Sequence, residues 1–228
     1  MEMKNIIKLT RLERDALREV VSTALSHSSM ALSKMADEEI DVKLASMDFI
    51  PLSEVPRKLG GGDVLSTGVY LRVMGDVSGT TLLVFPRDSA LFLADVLGGR
   101  EAGSTKILSE LDRSALEELG STITASFLRA MGNFLGVKTY PSTPVTVFDL
   151  ASSIVNFVLI GINEDVDFGL VVKIDFKGAK SVITGYFLLL LDAGSLAVLL
   201  DLVDKRIEEG GVPVKKHKQA PGLLSRFK

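Results

Sequence analysis

Two stretches decide the fold: RLERDALREVVST at residues 11–23 and ELDRSALEELGST at residues 110–122. They align at a constant offset, 110 − 11 = 99, which places Leu12 on Leu111, Arg14 on Arg113, Ala16–Leu17 on Ala115–Leu116, Glu19 on Glu118 and Ser22–Thr23 on Ser121–Thr122. The residues just before them match too. Thr10 and Glu13 have the spacing of a capping box, and Ser109 and Asp112 fall on the same two positions. Leu12, Ala16, Leu17, Val20, Ala24, Ala31 and Met35 recur at helical spacing, which predicts a helix from about Thr10 to Met35 and, by the alignment, a second from about Ser109 to Leu135.

Outward from these helices the order of elements repeats. After the first come alternating, strand-like runs at Ile40–Leu44 and Val69–Val73 and an apolar run at Thr80–Phe85. A short helix follows from about Asp88 to Leu97, stopped by Gly98–Gly99. After the second come strand-like runs at Val145–Phe148, Ile154–Ile162, Gly169–Phe176 and Val182–Leu191, then a last helix ending near Asp204. The short helices also correspond, Ser89-x5-Asp95 with Ser195-x5-Asp201 at an offset of 195 − 89 = 106. A helix with a small sheet buries its own apolar face poorly, whereas two such units sharing one sheet bury it well. The expectation is an α/β (α+β) fold, one internally duplicated pseudo-two-fold domain over residues 1–204 with halves at about 10–100 and 107–204. Its long helices pack on a continuous, mainly antiparallel sheet. Residues 205–228, with Gly210–Gly211, Pro213, KKHK at 215–218 and Pro221, read as a basic, flexible tail. Leu223, Leu224 and Phe227 near its end form a candidate docking motif.

The 228 residues are 46% hydrophobic and 24% charged, which is globular and excludes disordered, collagen-like and coiled-coil chains. With no Cys, disulfides, thiolate zinc sites and Cys nucleophiles are excluded, and with two His, at 27 and 217, a histidine-rich metal site is not expected. A net charge of −3 gives no sign of a nucleic-acid surface. MEMKNIIKLT has no signal-peptide h-region. Val182–Val203 imitates a membrane span, but Asp192 and Asp201 would each cost roughly 2.5–3.5 kcal/mol at a helix centre, so a buried strand followed by a buried helix is expected.

Asp15, Glu19, Ser22, Ser26, Ser29 and Ser33 recur at spacings of three and four, a polar stripe of small hydroxyls on one helix face. Ser114, Glu118 and Ser121 share the same face of the second helix. Such a stripe suits close approach by a partner, and equally a solvated or internal packing face.

The pattern [Asp/Ser]-x3-Glu-x2-Asn-x22-Pro, present twice, resembles the signature of the CheC phosphatases, a family that includes CheX and the CheC-like domains of flagellar switch proteins such as FliY. The second copy reads Ser114-x3-Glu118-x2-Ser121-x22-Pro144 and departs only at the Asn. The first reads Asp15-x3-Glu19-x2-Ser22-x22-Ala45 and departs at the Asn and the Pro. The resemblance implies a cytoplasmic chemotaxis regulator that docks on phosphorylated CheY and promotes hydrolysis of its aspartyl phosphate. Glu118, Ser121, Glu19 and Ser22 would be the catalytic residues. It implies no cofactor of the chain's own, with Mg²⁺ on the CheY partner. The Glu would hold the receiver's active-site Lys, and the carboxamide would orient the attacking water, so that catalysis is positioning. Ser in place of Asn offers one short hydroxyl instead of a donor and an acceptor on a longer arm. This leaves three outcomes: a phosphatase of weakened activity, one that uses Ser or Thr122, or a non-catalytic binding protein for CheY-phosphate or a CheD-type deamidase. A flagellar switch component is the lesser alternative, since a C-terminal β-rich domain is expected of that type and the tail here is short.

Other motifs carry less. No Gly-x4-Gly-Lys-[Ser/Thr] occurs, so LGGGDVLSTG at 59–68 reads as a glycine-rich loop, and no Gly-x-Ser-x-Gly elbow is present. Ser26 and His27 are helical neighbours that do not face each other. Asp37, Glu38, Glu39 and Asp41 read as a solvated helix end, and Asp88 and Asp192 as helix caps.

Overall fold

The computed structural model describes residues 9–161, 168–178 and 182–210. The elements run α1 (Arg11–Ala36), β1 (Asp41–Pro51), a 3-10 turn (Leu52–Glu54), α2 (Val55–Lys58), β2 (Leu65–Gly75), β3 (Gly79–Pro86) and α3 (Arg87–Leu97). Then come α4 (Glu110–Leu135), β4 (Thr139–Pro141), β5 (Val145–Leu150), α5 (Ala151–Gly161), β6 (Phe168–Lys177), β7 (Val182–Leu191) and α6 (Ala193–Glu208). Both long helices begin as their sequences dictate. Thr10 and Ser109 accept hydrogen bonds from the backbone of Glu13 and Asp112, whose carboxylates bond back to the capping residues' N–H groups.

The seven strands among the described residues form one sheet, with antiparallel pairing throughout. Its order is β1-β6-β7-β3-β2, with β4 and β5 both on the outer edge of β2. Exchange β1 with β5, β2 with β6 and β3 with β7, and the order reads the same from the other end. The middle of this two-fold lies between β3 and β7, where Leu82 pairs with Leu188, the residue 106 positions on. Close approach on either side of the axis depends on glycine. A Cβ on Gly185 would lie 2.4 Å from the Phe85 ring, and one on Gly79 would lie 2.9 Å from Leu191 Cδ2. The offset of 106 carries the second pair onto the first.

The two copies share an irregularity as well. Between Leu44 and Ser46 β1 advances two residues while β6 advances one, from Ile174 to Lys173, a one-residue bulge at Ala45. Between Pro141 and Val145 the other edge advances four residues while β2 advances three, from Val73 to Tyr70. Ala45 and Pro144 are 99 positions apart, and both sit where the extra residue is inserted. Pro has no N–H for the ladder and suits a bulge or break.

Helices α1, α3, α4 and α6 cover one face of the sheet in a core that includes Leu17, Val20, Leu119, Ile123, Leu83, Phe85 and Phe187. The other face carries a smaller core in which Leu82, Val84, Leu188 and Leu190 meet Leu52, Val55, Ile154 and Val158. β3 and β7 are thus buried on both sides and read as unbroken apolar runs. The strand expected at Ile154–Ile162 is instead helix α5; its last residue, 162, lies outside the described residues. Ala151, Ile154, Val155 and Val158 are buried, at helical spacing, while Phe157 and Ile160 are exposed. A short, uniformly apolar run has no period of its own, and the packing partner decides.

Asp192 caps α6, accepting from the Ser195 N–H at 2.7 Å. Asp88 caps nothing: Pro86 is the N-cap of α3 and Asp88 lies exposed in the first turn. No helix among the described residues is long and apolar enough to cross a membrane. Of the expected tail, residues 205–208 belong to α6, and 211–228 with Leu223, Leu224 and Phe227 lie outside the described residues.

Candidate functional site

The core fixes which faces of α1 and α4 remain outside. In α1 the buried residues include Glu13, Leu17, Val20, Val21, Ala24, Leu25, Ser28 and Leu32. In α4 they include Asp112, Leu116, Leu119, Gly120, Ile123, Thr124, Phe127 and Met131, the same positions shifted by 99. What remains outside matches in turn. Glu19 and Glu118 are exposed, and Ser22 and Ser121 are half-buried beside them, one turn further on. Asp15 and Ser114, one turn before, are exposed, and Asp15 lies 3.9 Å from Arg11. Each helix therefore offers a carboxylate and a hydroxyl three residues apart, on rigid, capped scaffolding.

The two pairs do not sit side by side. Met35, near the end of α1, receives the Thr122 hydroxyl at 3.9 Å. Leu17, Val20 and Val21 line a cavity with Phe127, Met131 and Leu135. The helices therefore cross antiparallel. At 1.5 Å per residue, Glu19 and Glu118 lie toward opposite ends of the pair, on the order of 30 Å apart. They make two separate sites.

Other expected residues divide. Thr122 is turned toward Met35 and is not at hand for Ser121. The stripe on α1 is open only in part. Ser33 Oγ accepts from the Ile40 N–H at 2.9 Å, and Ser29 Oγ from the Val42 N–H at 2.8 Å, so both hydroxyls serve the start of β1. His27 is half-buried.

The base of α4 is braced by an ion network. Asp95, with no exposed surface, accepts from the N–H groups of Gly103 at 2.8 Å and Thr105 at 3.1 Å, from Ser104 Oγ at 2.9 Å and from Arg100 Nε at 3.3 Å. Arg100 also bonds the Asp112 carboxylate, the N3 residue of α4. Burial alone would raise the Asp95 pKa; the hydrogen bonds from Thr105, Ser104, Arg100 and Gly103 outweigh it and hold it at about 2. Asp112 is lowered as well, burial being outweighed by Ser109 and Arg100. Asp201, at the matching position of α6, is exposed. Among the described residues no cluster of three His, Asp or Glu side chains is placed to hold a metal ion.

Fold and surface together define a twofold-repeated helix-on-sheet protein whose two long helices present matched Glu–Ser pairs outward. Comparison with known proteins places that class. No protein-family model matches the chain. It is 26% identical over 146 residues to the CheY-P phosphatase CheC of Bacillus subtilis (strain 168), an alignment covering 63% of this chain and 70% of that protein. It is 26% identical over 144 residues to the flagellar motor switch phosphatase FliY of the same organism, covering 63% of this chain and 37% of that one. The crystal structure of Thermotoga maritima FliY superposes with a TM-score of 0.72 at 17% identity, over 88% of this chain and all of the other, and so shares its fold. The chain is thus similar in sequence to CheC and FliY and has the fold of FliY.

Proposed function

We propose that this chain is a CheC-type chemotaxis regulator that docks on phosphorylated CheY and promotes hydrolysis of its aspartyl phosphate. Glu118 with Ser121 form one site, and Glu19 with Ser22 the other. The observation that carries this reading is the recurrence of the Glu–Ser pair at matched outward positions of two capped helices. A relative that matches across most of its length is named as a CheY-P phosphatase.

In this reading one docked helix delivers both groups, because residues three apart share a face. The Glu carboxylate engages the receiver's active-site Lys, and the neighbouring hydroxyl meets the attacking water. The acyl phosphate and its Mg²⁺ come with CheY. Ser reaches less far than Asn and cannot donate and accept as a carboxamide does. Loss of one preorganised contact costs 10²–10³ in rate, about 3 kcal/mol, so turnover is weak but above spontaneous decay. Serine at both Asn positions also favours a second reading, a non-catalytic binding protein for CheY-phosphate or a CheD-type deamidase.

Titration with beryllofluoride-activated CheY separates the readings from no interaction at all. The phosphatase reading expects amide shifts along the outward faces of α1 and α4 and faster phosphate loss from CheY-phosphate. Shifts with unchanged phosphate loss favour the binding protein. The absence of both overturns the proposal.

A further inference from the structure

The two-fold relation brings to light a pocket that the repeat alone does not explain. In the first copy, Leu9, Phe49 and Leu170 line a wholly apolar space of about 20 Å³, and Phe168 stacks on Phe49 at 5.5 Å. The matching residues of the second copy are Leu108 and Phe148, each 99 positions on. Thr67 pairs with Phe148 as Leu170 pairs with Phe49. Counted from β3 and β7 at the offset of 106, Gly68 matches Gly169 and Thr67 therefore Phe168, so in either register the first copy has an apolar side chain where Thr67 stands. There Thr67, Leu108 and Phe148 line a separate space of about 170 Å³. Phe148 is 51% exposed, and Leu65 is 46% exposed.

The chemistry of the open copy differs in a directed way. Thr67 has no exposed surface, lines the pocket, and its hydroxyl has no hydrogen-bond partner among the described residues. A leucine would fill this place without leaving a polar atom unmatched, as it does in the other copy. Arg87, Lys106 and Arg113 also line the pocket, and no carboxylate does. Arg87 and Lys106 are held toward backbone carbonyls, at 2.9 Å from Lys106 O and 2.7 Å from Gly103 O, so two of the three cations are tethered at the rim. Asp88 lies 3.4 Å from Arg87, and Glu117 accepts from the Thr146 hydroxyl at 2.8 Å.

We propose that this open copy is a docking pocket for one bulky apolar side chain carried on an acidic segment of a partner protein. The volume suits such a group, since a protein cavity of about 150 Å³ accepts benzene. The cations select carboxylates beside it, and the Thr67 hydroxyl donates to an acceptor within it. The exposed surfaces of Ile107, at 84%, and of Phe148 and Leu65 extend the apolar area beyond what a free small molecule covers. The proposal is independent of the phosphatase reading, because neither Glu19 nor Glu118 lines the pocket.

The test titrates the labelled full chain with a synthetic peptide of one Phe flanked on both sides by Glu. Three controls accompany it: the peptide with Ala for Phe, the peptide with Lys for Glu, and free 3-phenylpropionate. The expected result is amide shifts at Ile107 and Phe148, with binding about tenfold weaker for each control and weaker again at high salt. Thr67→Leu, which places in the pocket the residue type that pairs with Phe49 in the first copy, weakens the Glu–Phe peptide about tenfold while leaving the unfolding transition in place. Should that variant unfold, Arg113→Glu at the rim carries the same expectation. No binding, shifts elsewhere, equal binding by the Lys peptide, 3-phenylpropionate binding as tightly as the peptide, or full binding by the folded Thr67→Leu variant would each overturn the proposal.

Discussion

Asp95 and Asp201 occupy matching positions in α3 and α6, yet the first is sealed under the loop that leads to α4 and the second faces water. Asp95→Ala removes the acceptor for two backbone N–H groups, the Ser104 hydroxyl and the Arg100 guanidinium. The depression of Asp95 from 3.8 to about 2 corresponds to roughly 2.5 kcal/mol of native-state stabilisation. Stranded buried donors add to that, and the expected loss is about 3 kcal/mol. For a chain of this size the melting temperature falls by roughly 6–12 °C. Asp201→Ala changes stability by less than about 0.5 kcal/mol. The pH dependence follows from the sign of the shift. A carboxylate with a lowered native pKa stabilises fully above its ordinary value and loses that contribution as pH falls toward the native one. Stability of the parent chain therefore declines between about pH 4 and pH 2, and less steeply in Asp95→Ala. Urea unfolding of both variants across that range measures it. Equal effects of the two substitutions, or an unchanged acid limb in Asp95→Ala, would refute the reasoning.

Three further outcomes are expected. Ser121→Asn restores the carboxamide at a half-buried position and raises the rate of CheY-phosphate hydrolysis on the order of 10²-fold, read from phosphate release, whereas Thr122→Val, altering a hydroxyl turned toward Met35, leaves the rate unchanged. Gly120→Ala brings a Cβ to 2.7 Å from Val69 Cγ1; overpacking of about 1–3 kcal/mol exceeds the helix-propensity gain of about 1 kcal/mol, so urea denaturation should show net destabilisation. Ser33→Ala strands the Ile40 N–H and costs about 1–2 kcal/mol in the same assay, with early amide exchange at the start of β1.

The long helices were legible in the sequence because their signals are local. Caps, helical spacing and the 99-residue offset lie within each helix, and the buried positions follow from them. The outward placement of Glu19 and Glu118 comes from the same periodicity. Other features depend on partners distant in sequence. The run at 151–161 carries no distinguishing period, and only the second face of the sheet makes it a helix. Ser29 and Ser33 look like the rest of the stripe until β1 brings its unpaired N–H groups to them. Ala45 and Pro144 differ chemically, and their shared role as the extra residue of a bulge emerges only from the strand register. The separation of the two Glu–Ser pairs likewise depends on the antiparallel crossing of α1 and α4. The pocket at Thr67 required knowing that Thr67 pairs with Phe148 as Leu170 pairs with Phe49.

The central claim is that two distant helix faces each act on CheY-phosphate through their glutamate. Its most direct test is the decay of phosphorylated CheY with the parent chain, with Glu19→Ala, with Glu118→Ala and with both substitutions together. The account predicts that each single variant retains part of the acceleration, with Glu118→Ala losing more, and that the double variant returns to spontaneous decay. A double variant that accelerates decay as well as the parent would contradict it.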